Sequence, residues 1–293
     1  MLPLDIEEIA QLNLWEPWFK TAPTNQTTHR VRLAQSWDIT EGSRVLELGC
    51  GQGDCTAVLA AAVGESGHVT GVDPASLDYG SPSTLGQAQA HLRQSKIGSR
   101  MTFVQSDPTA FISNSENASK FDTAVLAHCI YYMASPSTLF DILRALHDKA
   151  PSIKKLCIAE YALTASVPEA YPHVLAVLME AALEVHKDGE TSDSNVRTVI
   201  GPVDITKLAN QAGWTVRHEG VLIPDAGLED GRWEVSAAMG ISEKDIAKLI
   251  SGERERALVG AMKESVVKSI SNMGDKSKVR TMDVWWSIFT RAD

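Results

Sequence analysis

Short apolar runs bounded by turn-forming residues recur along the first half of the chain, at residues 44–48, 68–72, 101–105, 121–127 and 155–161. Runs of this length that are apolar throughout read as strands buried on both faces. Between them stand segments of helical character, 55–63, 84–96 and 136–150, the second of which (TLGQAQAHLRQSK) combines good helix formers with an apolar stripe. Regular alternation of strand and helix predicts a parallel sheet covered on both sides, with ligand-binding loops at the carboxyl ends of its strands.

The alternation breaks after the fifth strand. Residues 162–201 contain a helical stretch, AYPHVLAVLMEAALEVHK, and a further helix is expected at 202–212. Two later runs, 214–223 and 284–290, read as strands, and 228–282 between them is polar, helix-rich and far longer than a hairpin needs. The chain is therefore read as one unit over 1–293, with an N-terminal helical cover (1–40), a core (41–161) and two helical insertions (162–201 and 228–282). The insertions serve as a substrate lid or as dimer contacts, so a homodimer stays open. No internal repeat interrupts this plan.

Composition narrows the partners. With 293 residues, 44% of them hydrophobic, the chain can bury a sizeable core. Asp and Glu outnumber Lys and Arg by 37 to 27, and a net charge of -10 offers no general field for nucleic acid or an anionic membrane. Cys50, Cys55, Cys129 and Cys157 form no CxxC pair and no disulfide-framework spacing, which predicts reduced thiols and a cytoplasmic location. The first nine residues carry acids instead of a basic stretch before an apolar one, so no signal peptide is expected, and no run reaches the length of a membrane span.

The segment VLELGCGQGDCT carries the strongest chemical signal: a strand ending at Leu48, then Gly49, Gly51 and Gly53, then a helix starting near Asp54. Dinucleotide sites use a similar strand, turn and helix. A dinucleotide fingerprint would place its third glycine at position 54, where this chain has Asp54, and an acid there repels a pyrophosphate. Glu47, two residues before Gly49, adds a carboxylate that such a site does not need.

Glu47-Leu48-Gly49-Cys50-Gly51-Gln52-Gly53 resembles motif I of class I S-adenosylmethionine-dependent methyltransferases. The resemblance implies an α/β, Rossmann-like class I methyltransferase fold with a mostly parallel seven-stranded sheet and helical insertions, and S-adenosylmethionine as cofactor. It implies that Glu47 orients the methionine end of the cofactor, that Gly49, Cys50, Gly51 and Gly53 pass beside its amino acid and ribose, and that Asp73 accepts from both ribose hydroxyls. Asp107 would accept from the adenine amine, with Pro74, Pro108 and Thr109 nearby. It covers residues 45–161 well and the ends poorly. The loop LDYGSPSTLGQ is longer than the family usually carries, and Tyr79 and Pro82 in it can cover the ribose or adenine, or simply make the turn.

The fourth strand runs into Ala127-His128-Cys129-Ile130-Tyr131-Tyr132, the side of the sheet where acceptor and methyl group should meet. That segment lacks the Asn or Asp, prolines and aromatic residue typical of base- and glutamine-modifying relatives. Glu160 stands as an isolated acid, so no catalytic metal is expected. His128 is the candidate catalytic base and a cofactor contact, because a histidine titrates near neutrality. Trp15, Trp18 and His29 from the N-terminal cover, with Tyr131 and Tyr132, are the candidate substrate pocket; Arg197, Trp233, Trp285 and Trp286 join them only if the insertions fold over the sheet. Since Trp285 and Trp286 alternate faces, at least one is expected in the core.

The expected activity is methyl transfer to an oxygen or nitrogen of a small organic metabolite, since the whole chain is similar to fungal methyltransferase-domain proteins of specialised metabolism. Two alternatives keep the same fold: a cyclisation, dehydration or pericyclic step with the cofactor bound, or a non-catalytic assembly partner.

Overall fold

In a computed structural model, which describes residues 4–15, 21–117, 119–187, 192 and 194–292, seven strands form one sheet in the order β3-β2-β1-β4-β5-β7-β6. The strands are β1 (Arg44–Leu48), β2 (His68–Asp73), β3 (Met101–Gln105), β4 (Thr123–Ala127), β5 (Lys155–Tyr161), β6 (Trp214–Leu222) and β7 (Val284–Arg291). The first five are parallel, and β7 runs antiparallel to both β5 and β6. The fourth strand starts two residues later than its apolar run suggests, because Asp122 spends its carboxylate on the Arg44 N–H. The chain order reverses between β1 and β4, which opens a crevice above their carboxyl ends.

Eleven α-helices lie among the described residues. On one face α1 (Ile6–Ala10), α2 (Ala22–Ser36) and α3 (Asp54–Ala62) bury Leu33, Trp37, Val58 and Leu59 against the sheet. The helix α4 (Leu85–Arg93) begins on a capping box, in which Thr84 accepts from the Gln87 N–H and Gln87 from the Thr84 N–H. On the other face α5 (Pro108–Ser113), α6 (Pro136–Lys149) and α8 (Pro202–Gln211) close over Leu46, Leu126 and Ile158.

The two insertions find each other. The helix α7 (Tyr171–Glu184) packs with α9 (Asp230–Gly240), α10 (Glu243–Leu249) and α11 (Glu253–Met273) around Ala176, Met179, Val235, Val259 and Val266. This third core is separate from the two on the sheet and places a helical body next to the carboxyl ends of β4 and β5. No helix is long and apolar enough to cross a membrane among the described residues.

Candidate active site

The loop after β1 is shaped by close approach on one side and open space on the other. Gly49 has φ +73°, and a Cβ there would stand 2.5 Å from the Cys129 Cβ. Gly51 has φ +52° and nothing within 4 Å of where its Cβ would be, so its backbone lies open to a ligand. The Gly51 N–H donates to Asp73 Oδ2 at 2.8 Å and the Ala75 N–H to Oδ1 at 2.9 Å, which pins the Asp73 carboxylate beside the glycine loop. A carboxylate has about four acceptor positions, so two remain for a diol.

The Asp107 carboxyl at the end of β3 caps α5 through Oδ1, which accepts from the Ala110 N–H at 2.8 Å and the Thr109 hydroxyl at 2.5 Å. Pro108 is the buried first residue of that helix. Both Pro108 and Thr109 thus serve the helix start, and Asp107 Oδ2 is the atom left for an adenine amine. Pro74 lies exposed just past Asp73. The Cys50 thiol turns inward against Gly71, so this residue can meet a ligand only through its backbone. Glu47 is 2% exposed, and its Oε2 accepts from the Thr56 hydroxyl on α3. Burial raises its carboxyl to about 7, against the bonds from Thr56 and Cys55 and the nearby Arg30. An open glycine cradle, a pinned diol acceptor, a spare oxygen on Asp107 and a buried acid short of positive charge fit a cationic nucleoside such as S-adenosylmethionine.

The opposite wall is built around His128. It has φ +52°, a backbone conformation few non-glycine residues adopt, and its N–H donates to the Ala159 carbonyl at 2.9 Å. Its Nδ1 stands 3.6 Å from Glu160 Oε1, and its Nε2 is 2.9 Å from the Nε2 of His29 on α2. Glu160 is fully buried and accepts the Ile130 N–H at 2.9 Å and the Tyr161 N–H at 3.0 Å. The acid read from sequence as isolated is therefore the backing of His128. The Tyr161 ring lies 4.8 Å from that of His128, and its hydroxyl donates to Asp230 Oδ1 at 3.1 Å. Asp230 Oδ2 accepts from Gln26, whose own oxygen accepts from Arg30. Burial works against charge on Asp230, but Arg30, His128 and the Gln26 bond hold its carboxyl below the usual value.

Of the other pocket candidates, Tyr132 is 44% exposed beside this cluster, where partial burial and then Glu234 push its phenol up. Tyr131 is not a pocket wall: it is 3% exposed in the core, with its hydroxyl on the Tyr161 carbonyl, because its apolar ring is better buried. Trp15 is half-buried just after α1, and Trp18 lies outside the described residues. Arg197 comes to the rim, donating from its N–H to the Tyr131 carbonyl and from Nη1 to the Tyr132 carbonyl. Tyr79 bonds Asn195 across the same mouth, while Pro82 follows it at the turn.

Trp285 and Trp286 are packed on opposite faces of β7, the first buried and bonded to Glu219 and the second partly buried against Gly220. Trp233 is an exposed residue of α9. The structure adds residues the sequence did not single out: Gln26, Arg30, Tyr161, Asp230, His173 and the carboxyl pair Glu180 and Glu234. Burial and mutual repulsion raise Glu180 to about 8, and burial and then Asp230 raise Glu234 to about 7. Among the described residues no group of three His, Cys, Asp or Glu stands ready to hold a metal ion.

Comparison with known proteins agrees with this geometry. Residues 39–210 match the family model described as a methyltransferase domain. The chain is 29% identical to methyltransferase phomM' of Diaporthe leptostromiformis, an alignment covering 92% of this chain and 79% of that one. A cyclopropane-fatty-acyl-phospholipid synthase-like protein from Lactobacillus casei superimposes with a TM-score of 0.81 at 28% identity, over 97% of this chain and 98% of that one. A geranyl diphosphate C-methyltransferase from Streptomyces coelicolor, solved with S-adenosyl-L-homocysteine, shares the fold at 11% identity and a TM-score of 0.52, over 91% and 79% of the two chains. With its glycine loop and its three acids at successive strand ends, the chain belongs to the methyltransferase-domain family and is a class I S-adenosylmethionine-dependent methyltransferase.

Proposed function

We propose that the enzyme methylates an oxygen or nitrogen of a small organic metabolite, without a metal, by orienting the acceptor and assisting loss of its proton through His128. The bound cofactor supplies an electrophilic methyl group on a sulfonium. The observation that carries the reading is His128 itself, held at φ +52° at the end of β4 and backed by the buried Glu160. A strained backbone persists where its surroundings over-determine it, and here it holds an imidazole at the end of β4, beside the crevice above β1 and β4. The helical body of α7 and α9 to α11 acts as the substrate lid, joined to the site through the Tyr161–Asp230 hydrogen bond.

The test is a screen of phenols, carboxylic acids and amines for release of S-adenosylhomocysteine, followed by His128→Ala with the acceptor found. Turnover should fall about 100-fold, within the usual range for a general base, while cofactor affinity by calorimetry stays within about threefold. Unchanged turnover removes the base role. Rearrangement of a substrate with no S-adenosylhomocysteine formed removes methyl transfer altogether.

A further inference from the structure

His29 and His128 meet through like atoms, with Nε2 facing Nε2 at 2.9 Å. A contact that short between ring nitrogens holds one proton: two N–H groups would collide and two bare lone pairs would repel. The other edge of His128 decides which ring supplies it. Its Nδ1 faces Glu160 Oε1 at 3.6 Å, and both oxygens of Glu160 already accept main-chain N–H bonds. A bare imidazole lone pair turned to those oxygens would be repelled, so His128 carries its proton on Nδ1. In the neutral pair the shared proton therefore belongs to His29 Nε2. Both Nδ1 atoms are buried without a hydrogen bond among the described residues, but that of His128 carries its proton toward Glu160, so the one vacant lone pair on the two rings is His29 Nδ1.

We propose that His29 and His128 form a single base with one protonation step, in which His29 Nδ1 takes the acceptor's proton and His128 carries the resulting charge. When the pair gains a proton, it enters at His29 Nδ1, the proton on His29 Nε2 crosses to His128 Nε2, and the charge comes to rest on His128 beside Glu160. The pair then holds three protons where it held two. His29 is neutral in both states and only its tautomer changes, from Nε2–H to Nδ1–H.

The surroundings support this division of charge. Burial, then His128 and then Arg30, with Arg32 also on α2, hold His29 well below its ordinary value against the single pull of Asp230. His128 is faced by Glu160, Asp230, the Tyr161 ring and His173. His173 adds no charge near neutrality, because burial lowers it to about 4 and its Nδ1 accepts the Met282 N–H. The inference rests on His128 being the base, and it makes that base complete only with α2 closed on the sheet.

Histidine-labelled 15N protein saturated with S-adenosylhomocysteine, followed by NMR from about pH 5 to pH 9 and assigned with His29→Gln and His128→Gln, tests it without an acceptor. The expected result is one transition shared by both rings, with the His29 tautomer inverting as His128 becomes doubly protonated. In His29→Gln the amide can bond His128 but cannot pass a proton through, and the His128 transition should move by about half a pH unit or more. A His29 tautomer that stays constant, or a His128 transition that does not move, overturns the pair. Unchanged turnover in His128→Ala overturns instead the base role proposed above, and leaves the NMR result to judge the pair by itself.

Discussion

Replacing Glu47 by Gln isolates the cost of a buried charge. The side chain is 2% exposed, and burial raises its carboxyl from 4.5 to about 7. Between those values the folded chain holds a proton that the unfolded chain has released. An acid whose folded value is raised gives its full relative stability below 4.5 and loses it as pH rises to about 7, so stability falls across that window. The shift of roughly 2.5 units corresponds to about 3 kcal/mol.

Gln keeps the shape and an oxygen for the Thr56 hydroxyl, but has no proton to lose. Urea unfolding of wild type and Glu47→Gln at about pH 5 and pH 8 gives four free energies. Their double difference cancels Glu180 and Glu234, which titrate in the same range in both proteins. The variant should gain about 2 to 3 kcal/mol on wild type between the two pH values. A variant whose difference from wild type is the same at both pH values refutes the reasoning, since Glu47 would then carry the same charge in the folded and unfolded chain.

Asp73→Ala removes the acceptor of the Gly51 and Ala75 N–H groups as well as the diol site, and should weaken S-adenosylmethionine binding by about 10- to 100-fold in calorimetry; unchanged affinity would deny that carboxylate its role. Tyr161→Phe deletes the hydroxyl that ties β5 to Asp230 and should cost about 1 kcal/mol in thermal or urea unfolding, with cofactor affinity kept, because the bond joins α9 and not the glycine loop.

The cofactor half of the site was legible because each part of it is local. A parallel strand buried on both faces writes itself as a continuous apolar run, and the residue just after such a run sits at the ligand-binding edge whatever the rest of the chain does. The resemblance to motif I named Glu47, Gly49, Gly51, Asp73 and Asp107, and the strand pattern alone sets all five at or beside the carboxyl ends of β1, β2 and β3 without knowing how any two strands pair. It did not find α5, whose six residues are too few for a helical period to show, although Asp107-Pro108 is an ordinary cap and first-turn signal.

The half built around His128, the proposed acceptor side, depends on register and long-range closure. Glu160 looked isolated only because β4 and β5 were read separately; the pairing of Ala127 with Ala159 makes His128 and Glu160 neighbours, and aligning the two strand ends would have found them. No such rule reaches Asp230 or His29. Their bonds to Tyr161 and His128 span 69 and 99 residues and exist because α7 buries its apolar face on α9 and α11 while α2 lies across the sheet. The periodicity of α7 announced an apolar face but not its partner, and a partner drawn from the other insertion is what carries Asp230 to the crevice. If the helical body is the proposed lid, acceptor choice is set by packing between segments far apart in sequence, and substitutions in the α7–α9 contact should change the acceptor preference read from S-adenosylhomocysteine release while cofactor affinity holds.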